Sequence, residues 1–118
     1  MQVGSFKTKI ISLLGLDIEP GTPIFLGESN MAHIQRKHPA EYEDYLTEIP
    51  HILDSPDYVG VNTKDDSIEF VKEYKQGNDF LKVAVRVSVS GKYFARSIYT
   101  LNSNRVQNYI AKGTLKSV

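Results

Sequence analysis

The chain contains no cysteine. That absence excludes disulfides, thiolate zinc sites and cysteine nucleophiles, and it fits a reducing compartment such as the cytoplasm. Also missing is any stretch of the roughly 20 apolar residues that a bilayer-spanning helix needs, so no membrane role is expected. The apolar run Ile10-Ile11-Ser12-Leu13-Leu14-Gly15-Leu16 is followed by Asp17-Ile18-Glu19-Pro20 rather than by a small-residue cleavage site. It reads as core-forming, not as a secretory signal. Nor is there an excess of charge of one sign: 14 Lys plus Arg balance 14 Asp plus Glu. This argues against a non-specific polyanion binder working through a large positive field. There is no internal repeat and no low-complexity linker.

What is present suits one globular body. A chain of 118 residues supports one hydrophobic core and is too short for two ordinary domains, so residues 1–118 are read as a single domain. Its 41% hydrophobic and 24% charged content is ordinary for such a domain. The charge is uneven along the chain. Six acidic residues and no Lys or Arg lie between Glu41 and Asp57, whereas five Lys or Arg and no Asp or Glu lie between Gly91 and Val118. A nucleic-acid surface is therefore expected toward the C-terminal third.

Periodicity divides the chain into a helical first half and an extended second half. Residues 5–16 form an apolar segment compatible with helix or strand, and Pro20-Gly21-Thr22-Pro23 forces a turn. Ile24-Phe25-Leu26 is a short strand candidate. Ser29 is a suitable N-cap for a helix running to about His38, and Pro39 suits the first position of a second helix through about Glu48. Pro50 to Ser55 reads as one further turn, broken by Pro56-Asp57. Short strands are then predicted at Tyr58–Val61, Ser67–Tyr74, Phe80–Val89 and Lys92–Leu101, an antiparallel meander. In the third of these, Leu81, Val83, Val85, Val87 and Val89 alternate with Phe80, Lys82, Ala84, Arg86 and Ser88. One face is thus expected to be aliphatic and buried while the other presents Lys and Arg. Arg105 to Ile110 adds a last short element before a polar tail.

Two constellations carry chemistry. On the first helix, His33 and Lys37 are four apart and share a face, while Met31 and Ile34 define the apolar side. His38 lies about 140° from His33 on an ideal helix, nearer the buried edge, which makes the two an unsuitable joint metal site. A solvated helix face with one histidine packing at the domain edge is the plainer reading of these residues alone, but imidazole is the commonest general acid or base at neutral pH. His51, beside Pro50 and without basic neighbours, reads as structural.

The second constellation is the strand pair 80–89 and 92–101, where two registers are open. If Ser90-Gly91 is a two-residue turn, Lys82 faces Tyr99, Ala84 faces Ser97 and Arg86 faces Ala95. Lys82, Arg86, Ser97, Tyr99 and Tyr93 then share a polar face, and Arg96 points inward. If the loop takes one more residue, Val85 faces Ser97, Arg86 faces Arg96 and Thr100 lies next to Lys82. Arg96 then joins the polar face, with Phe94 and Ile98 exposed as stacking or lid residues. The cost of burying an unpaired guanidinium favours the second arrangement. Either register puts cations and a hydroxyl where they can hold a phosphate while bases stack on Tyr or Phe. A solvated sheet face is the plainer reading of the strand alone. Joined to the histidine helix, it supplies the parts for metal-free RNA cleavage: a base for the 2'-hydroxyl proton, a cation at the phosphate and an acid for the leaving oxygen.

From about Ile24 to Gly113 the sequence resembles the phage-associated nucleases related to barnase, EndoU, the tRNA-cleaving colicins and RelE. The resemblance rests on His33-Ile34-x-x-Lys37-His38, on Ile49-Pro50-x-Ile52-Leu53-x-x-Pro56-Asp57-Tyr58-Val59-Gly60, on Arg96-Ser97-x-Tyr99-Thr100, and on their order. It implies an α+β fold of N-terminal helices packed on a four-stranded antiparallel sheet, with residues 1–23 as an extension to a 24–113 core. It also implies a metal-independent, cofactor-free endoribonuclease, with tRNA among its substrates, that leaves a cyclic phosphate. Carried over by residue, it makes His33 or His38 the helix acid or base, and Arg86 and Arg96 the phosphate ligands. Ser97, Tyr99 and Thr100 become the terminal-strand polar groups; Lys37 on the helix face and Lys82 and Tyr93 on the sheet face are, from their positions, further expected substrate contacts. The neutral net charge departs from strongly cationic ribonucleases and suggests a specific structured RNA or a protein-guided target. Two other readings use the same face: a non-catalytic module that binds RNA or a protein, and a toxin-like effector whose basic C-terminal third docks an acidic inhibitor protein.

Overall fold

The computed structural model describes residues 1–74 and 79–118. Strand β1 (Gln2–Ser5) leads into helix α1 (Thr8–Leu14), which Gly15 closes in the left-handed conformation at φ 63°, a geometry that side chains with a Cβ resist. Strand β2 (Pro23–Phe25) follows, then helix α2 (Glu28–Lys37) and helix α3 (Pro39–Tyr45). The two helices break at His38, where φ −135° and ψ 60° leave the helical region because the ring of Pro39 disfavours that region for the residue before it. A 3-10 turn at Leu46–Glu48 continues into helix α4 (Ile49–Asp54). Four strands then run in succession: β3 (Tyr58–Val61), β4 (Ile68–Tyr74), β5 (Asp79–Val87) and β6 (Tyr93–Asn102). Helix α5 (Ser103–Ala111) and strand β7 (Lys116–Ser117) end the chain.

The expected meander is present, since β3 pairs with β4, β4 with β5 and β5 with β6, all antiparallel. The expected four-stranded sheet is too small, however. Among the described residues the sheet has seven strands in the order β1-β2-β6-β5-β4-β3-β7. The residues taken for an extension supply β1, and Phe6 and Ile10 enter the main core. The outermost strands are very short, and pairing at both sheet edges depends on backbone hydrogen bonds that leave little trace in side-chain alternation. The supposed polar tail contributes β7, which pairs Lys116 with Val59 and Ser117 with Tyr58.

The sheet separates two apolar clusters. On one face Leu81, Val83, Val85 and Ile98 pack with Phe6, Ile10, Ile34, Ile49, Ile52 and Leu53 from the preceding helices and loops. On the other, Val71, Phe80 and Leu101 pack with Val106 of α5 and with Leu115. This second cover spans only one end of its face. The aliphatic alternation read through Val89 stops earlier, because Val87 is 52% exposed and Val89 lies in the loop beyond the strand.

Gly60 faces the second cluster, where the chain returning through Thr114 and Leu115 passes directly over it. A Cβ at Gly60 would run into the Thr114 carbonyl oxygen and crowd Leu115. Gly60→Ala is therefore expected to displace the β7 segment and to cost about 1–3 kcal/mol, the usual range for overpacking. Urea unfolding should register this as a lower midpoint. An unchanged midpoint would mean that the C-terminal segment does not lie against β3.

Candidate active site

The uncovered end of the second sheet face holds a cleft of about 400 Å³ lined by Ser29, Asn30 and His33 from α2, Asp65 from the β3–β4 loop, and Ala84, Arg86, Arg96 and Ser97 from β5 and β6. Its walls follow from two local features. First, β2 pairs with β6 only at Tyr93 and Phe94, so the rest of that edge of β6 is open and α2 and α3 pack along it. Ile34 turns into the core, and His33, one residue earlier on the helix, reaches the cleft.

The second feature is a β-bulge. Lys82 pairs with Tyr99 and Ala84 with Ser97, as in the first of the two registers. The ladder then slips, so that Val85 pairs with Ala95, Arg86 with Phe94 and Val87 with Tyr93. The extra residue is Arg96. In an unbroken strand its guanidinium would fall on the apolar face beside Val85, but the bulge returns it to the polar face next to Ser97. Arg96 is accordingly exposed and lines the cleft with Arg86. Neither expected register describes the whole hairpin, and the loop 88–92 closes it with a Ser88 N–H donating to the Lys92 carbonyl at 2.7 Å.

The slip also moves Tyr93. It was expected on the polar face, but opposite Val87 it belongs to the apolar side, where its ring meets Phe6 edge-on with centroids 5.0 Å apart. Phe94 and Ile98 are likewise not open lid residues. Phe94 leans on Phe25 at 5.9 Å between centroids, and Ile98 is fully buried.

The remaining anticipated residues divide into those inside the cleft and those beside it. His33, Arg86, Arg96 and Ser97 are inside. His38 is beside it, its ring stacked on Tyr99 at 5.3 Å between centroids and 18° between planes. The Lys82 ammonium also lies over the Tyr99 ring, 4.7 Å from its centroid. It is only 6% exposed and bonds Glu69 at 2.7 Å, so its charge is already met within the protein. Thr100 pairs with Leu81, and strand alternation turns it to the face opposite Ser97 and Tyr99. Lys37 is exposed on α2 and His51 on α4, neither of them on the cleft wall.

Three cleft residues were not anticipated. Asn30 accepts a hydrogen bond from the Gly27 N–H at 2.9 Å through Oδ1, which makes Gly27 rather than Ser29 the helix cap and leaves the NH2 end of the amide as a donor. Ser29 lies beside it in the first turn. Asp65 accepts from the Ser67 hydroxyl at 2.7 Å and the Ser67 N–H at 3.0 Å. These two hydrogen bonds, aided by the more distant charges of Arg86 and Lys82, hold the Asp65 carboxyl below the ordinary carboxylate value against a small opposing effect of burial. The cleft thus contains one fixed anion opposite two guanidinium groups. The Asp-x-Ser spacing at 65–67 and the Gly-x-x-Asn spacing at 27–30 were the available signals, since both are side-chain-to-backbone turn patterns.

Among the described residues, no three His, Asp or Glu side chains stand together as a metal cage, and no helix is long and apolar enough to cross a membrane. An α+β sheet that presents histidine and two arginines at an open face has the makings of a phosphate-handling site. The family model described as phage-Barnase-EndoU-ColicinE5/D-RelE like nuclease 3 matches residues 1–108, and the chain belongs to that nuclease-like family. No curated protein and no solved structure matches it.

Proposed function

We propose that the protein is an endoribonuclease that cleaves RNA, tRNA among its substrates, by attack of a 2'-hydroxyl on the adjacent phosphorus. The observation that carries this reading is the convergence of His33, Arg86, Arg96 and Ser97 on one cleft. Arg86 and Arg96 pair with the non-bridging phosphate oxygens, whose negative charge grows in the transition state; charge-assisted hydrogen bonds are strongest there. His33 is the proton-transfer group for the 2'-oxygen or the 5' leaving oxygen. Ser97 and Asn30 supply neutral hydrogen bonds that fix the phosphate between them. In the reaction the 2'-oxygen forms a bond to phosphorus, the bond to the 5'-oxygen breaks, and the proton lost by one oxygen is regained by the other. A 2',3'-cyclic phosphate and a 5'-hydroxyl result without consumption of water.

The test is incubation of total small RNA with purified protein in EDTA, followed by end-group analysis. Fragments ending in cyclic phosphate are expected, as is resistance of a substrate carrying 2'-deoxyribose at the cleaved nucleotide. RNA that stays intact across a broad panel, or cleavage that leaves a 3'-hydroxyl, would overturn the proposal.

A further inference from the structure

A second cavity, about 270 Å³ in volume, opens on the same sheet face and is lined in part by Lys64, Glu69, Lys82, Tyr109, Lys112 and Thr114. It adjoins the first. Glu69, on its floor, pairs across the strands with Ala84, on the floor of the catalytic cleft, and paired positions on neighbouring strands are about 5 Å apart. The loop after β3 forms a wall of both, with Asn62 to Lys64 lining the second cavity and Asp65 the first. That loop is held in shape by Asn62, which accepts from the Lys64 N–H at 2.9 Å, and by Asp66 at φ 60°.

The charges in this second cavity are arranged differently from those in the first. Glu69 and Lys82 form a nearly buried ion pair and offer no net charge to a ligand. Lys64 and Lys112 are exposed at the rim. The ion pairs among the described residues are Lys7–Asp54 and Lys82–Glu69, so neither rim lysine is tied to a carboxylate. The half-buried ring of Tyr109 lines the same cavity, anchored by an Arg105 Nη2 hydrogen bond to its hydroxyl at 2.9 Å and with the Lys82 ammonium and the Arg105 guanidinium each 5.9 Å from its centroid. An aromatic ring that shares a cavity with two rim cations suits one nucleotide: the ring takes a base by stacking and the cations take the backbone phosphates.

We infer that this cavity is a subsite for a nucleotide flanking the scissile bond, on a single-stranded RNA segment that runs from the cleft across the Lys82–Glu69 pair, with Lys64 and Lys112 as its phosphate contacts and Tyr109 as its stacking platform. The inference rests on the ribonuclease reading of the first cleft and adds to it a requirement for substrate length. A dinucleotide fills the cleft alone, whereas a longer strand engages both cavities.

The experiment compares the wild type with Lys64→Ala/Lys112→Ala, and with Lys64→Arg/Lys112→Arg as a charge-preserving control. Binding of a 2'-O-methyl single-stranded oligonucleotide of mixed sequence is measured against salt, alongside cleavage of a dinucleotide and of a long RNA. Each lost phosphate contact on a single strand lowers the slope of log K against log salt by about 0.7, so the double alanine variant should lose about 1.4 of the slope, twice that increment. It should cleave the long RNA with raised KM and the dinucleotide at the wild-type rate, and the double arginine variant should follow the wild type throughout. An unchanged salt slope, or equal loss on dinucleotide and long RNA, would overturn the subsite while leaving the ribonuclease reading intact. Wild-type protein that neither binds nor cuts RNA would overturn both.

Discussion

Substituting alanine for His33 is expected to slow RNA cleavage by about 100- to 10,000-fold, the range for loss of a positioned proton-transfer group, while RNA binding persists. The expectation follows from how α2 meets the sheet. Ile34 anchors the helix in the core, so His33 is directed into the cleft that also holds Arg86 and Arg96. His38 is placed otherwise, because Pro39 ends the helix there and its ring stacks on Tyr99. His38→Ala should therefore have a much smaller effect on the chemical step and act mainly through the Tyr99 ring. Single-turnover cleavage in EDTA, with binding followed separately, checks the pair. If His38→Ala gave the large loss and His33→Ala the small one, the assignment of the cleft would be wrong.

Breaking the Lys82–Glu69 pair is expected to have the largest effect on stability. Both side chains are mostly withdrawn from water and their charged atoms are 2.7 Å apart. Removing one partner from a buried pair leaves an uncompensated charge and costs about 3–5 kcal/mol. Lys82→Met alone or Glu69→Leu alone should lower the denaturation midpoint sharply. The double replacement should recover most of the loss, since apolar residues of similar volume often substitute for a buried pair without penalty. Additive losses in the double variant would show that the two side chains act independently.

The same pair gives a signed prediction for pH. Burial alone would lower the Lys82 pKa, but the hydrogen bond to Glu69 and the neighbouring Tyr99 hydroxyl outweigh it, and the net shift is above lysine's ordinary 10.5. A group raised in the folded state contributes stability that is fully present below its unfolded value and is lost as pH rises through the folded one. The wild type should thus lose stability at alkaline pH above about 10.5, and the Lys82→Met/Glu69→Leu variant should lose less of it over the same interval.

Side-chain alternation made the inner sheet legible from sequence, and backbone contingencies hid the rest. Leu81, Val83 and Val85 against Lys82 and Ala84 identified β5 and its aliphatic face, whereas the face expected to present Lys and Arg is closed at one end by Phe80, Leu101 and Val106 and holds Lys82 buried, with Arg86 left exposed. The short inner strand β2 was legible at Ile24-Phe25-Leu26, but the edge strands β1 and β7 are at most four residues long, too short for a period to register. Within the site, His33, Arg86, Arg96 and Ser97 were legible by residue type. Their convergence depended on the bulge at Arg96, and a bulge adds a residue without altering composition or local pattern. Tyr93 sits on the apolar face rather than the polar one for that same reason, since it lies beyond the slip. Asp65 gives no site signal of its own, because a turn rich in aspartate reads first as a strand boundary.

The bulge also has a consequence for how this hairpin tolerates change. Beyond it lie Val87, the loop 88–92 and the first residues of β6, which carry none of the cleft except Arg86 at its near end. Below it, Lys82–Tyr99 and Ala84–Ser97 keep their own pairing. The hairpin is therefore divided into a tip and a working base, joined at a point that already accommodates one unmatched residue. Variation in the tip, including its exposed valines and the length of its loop, is absorbed there, and Ser97 keeps its position against α2.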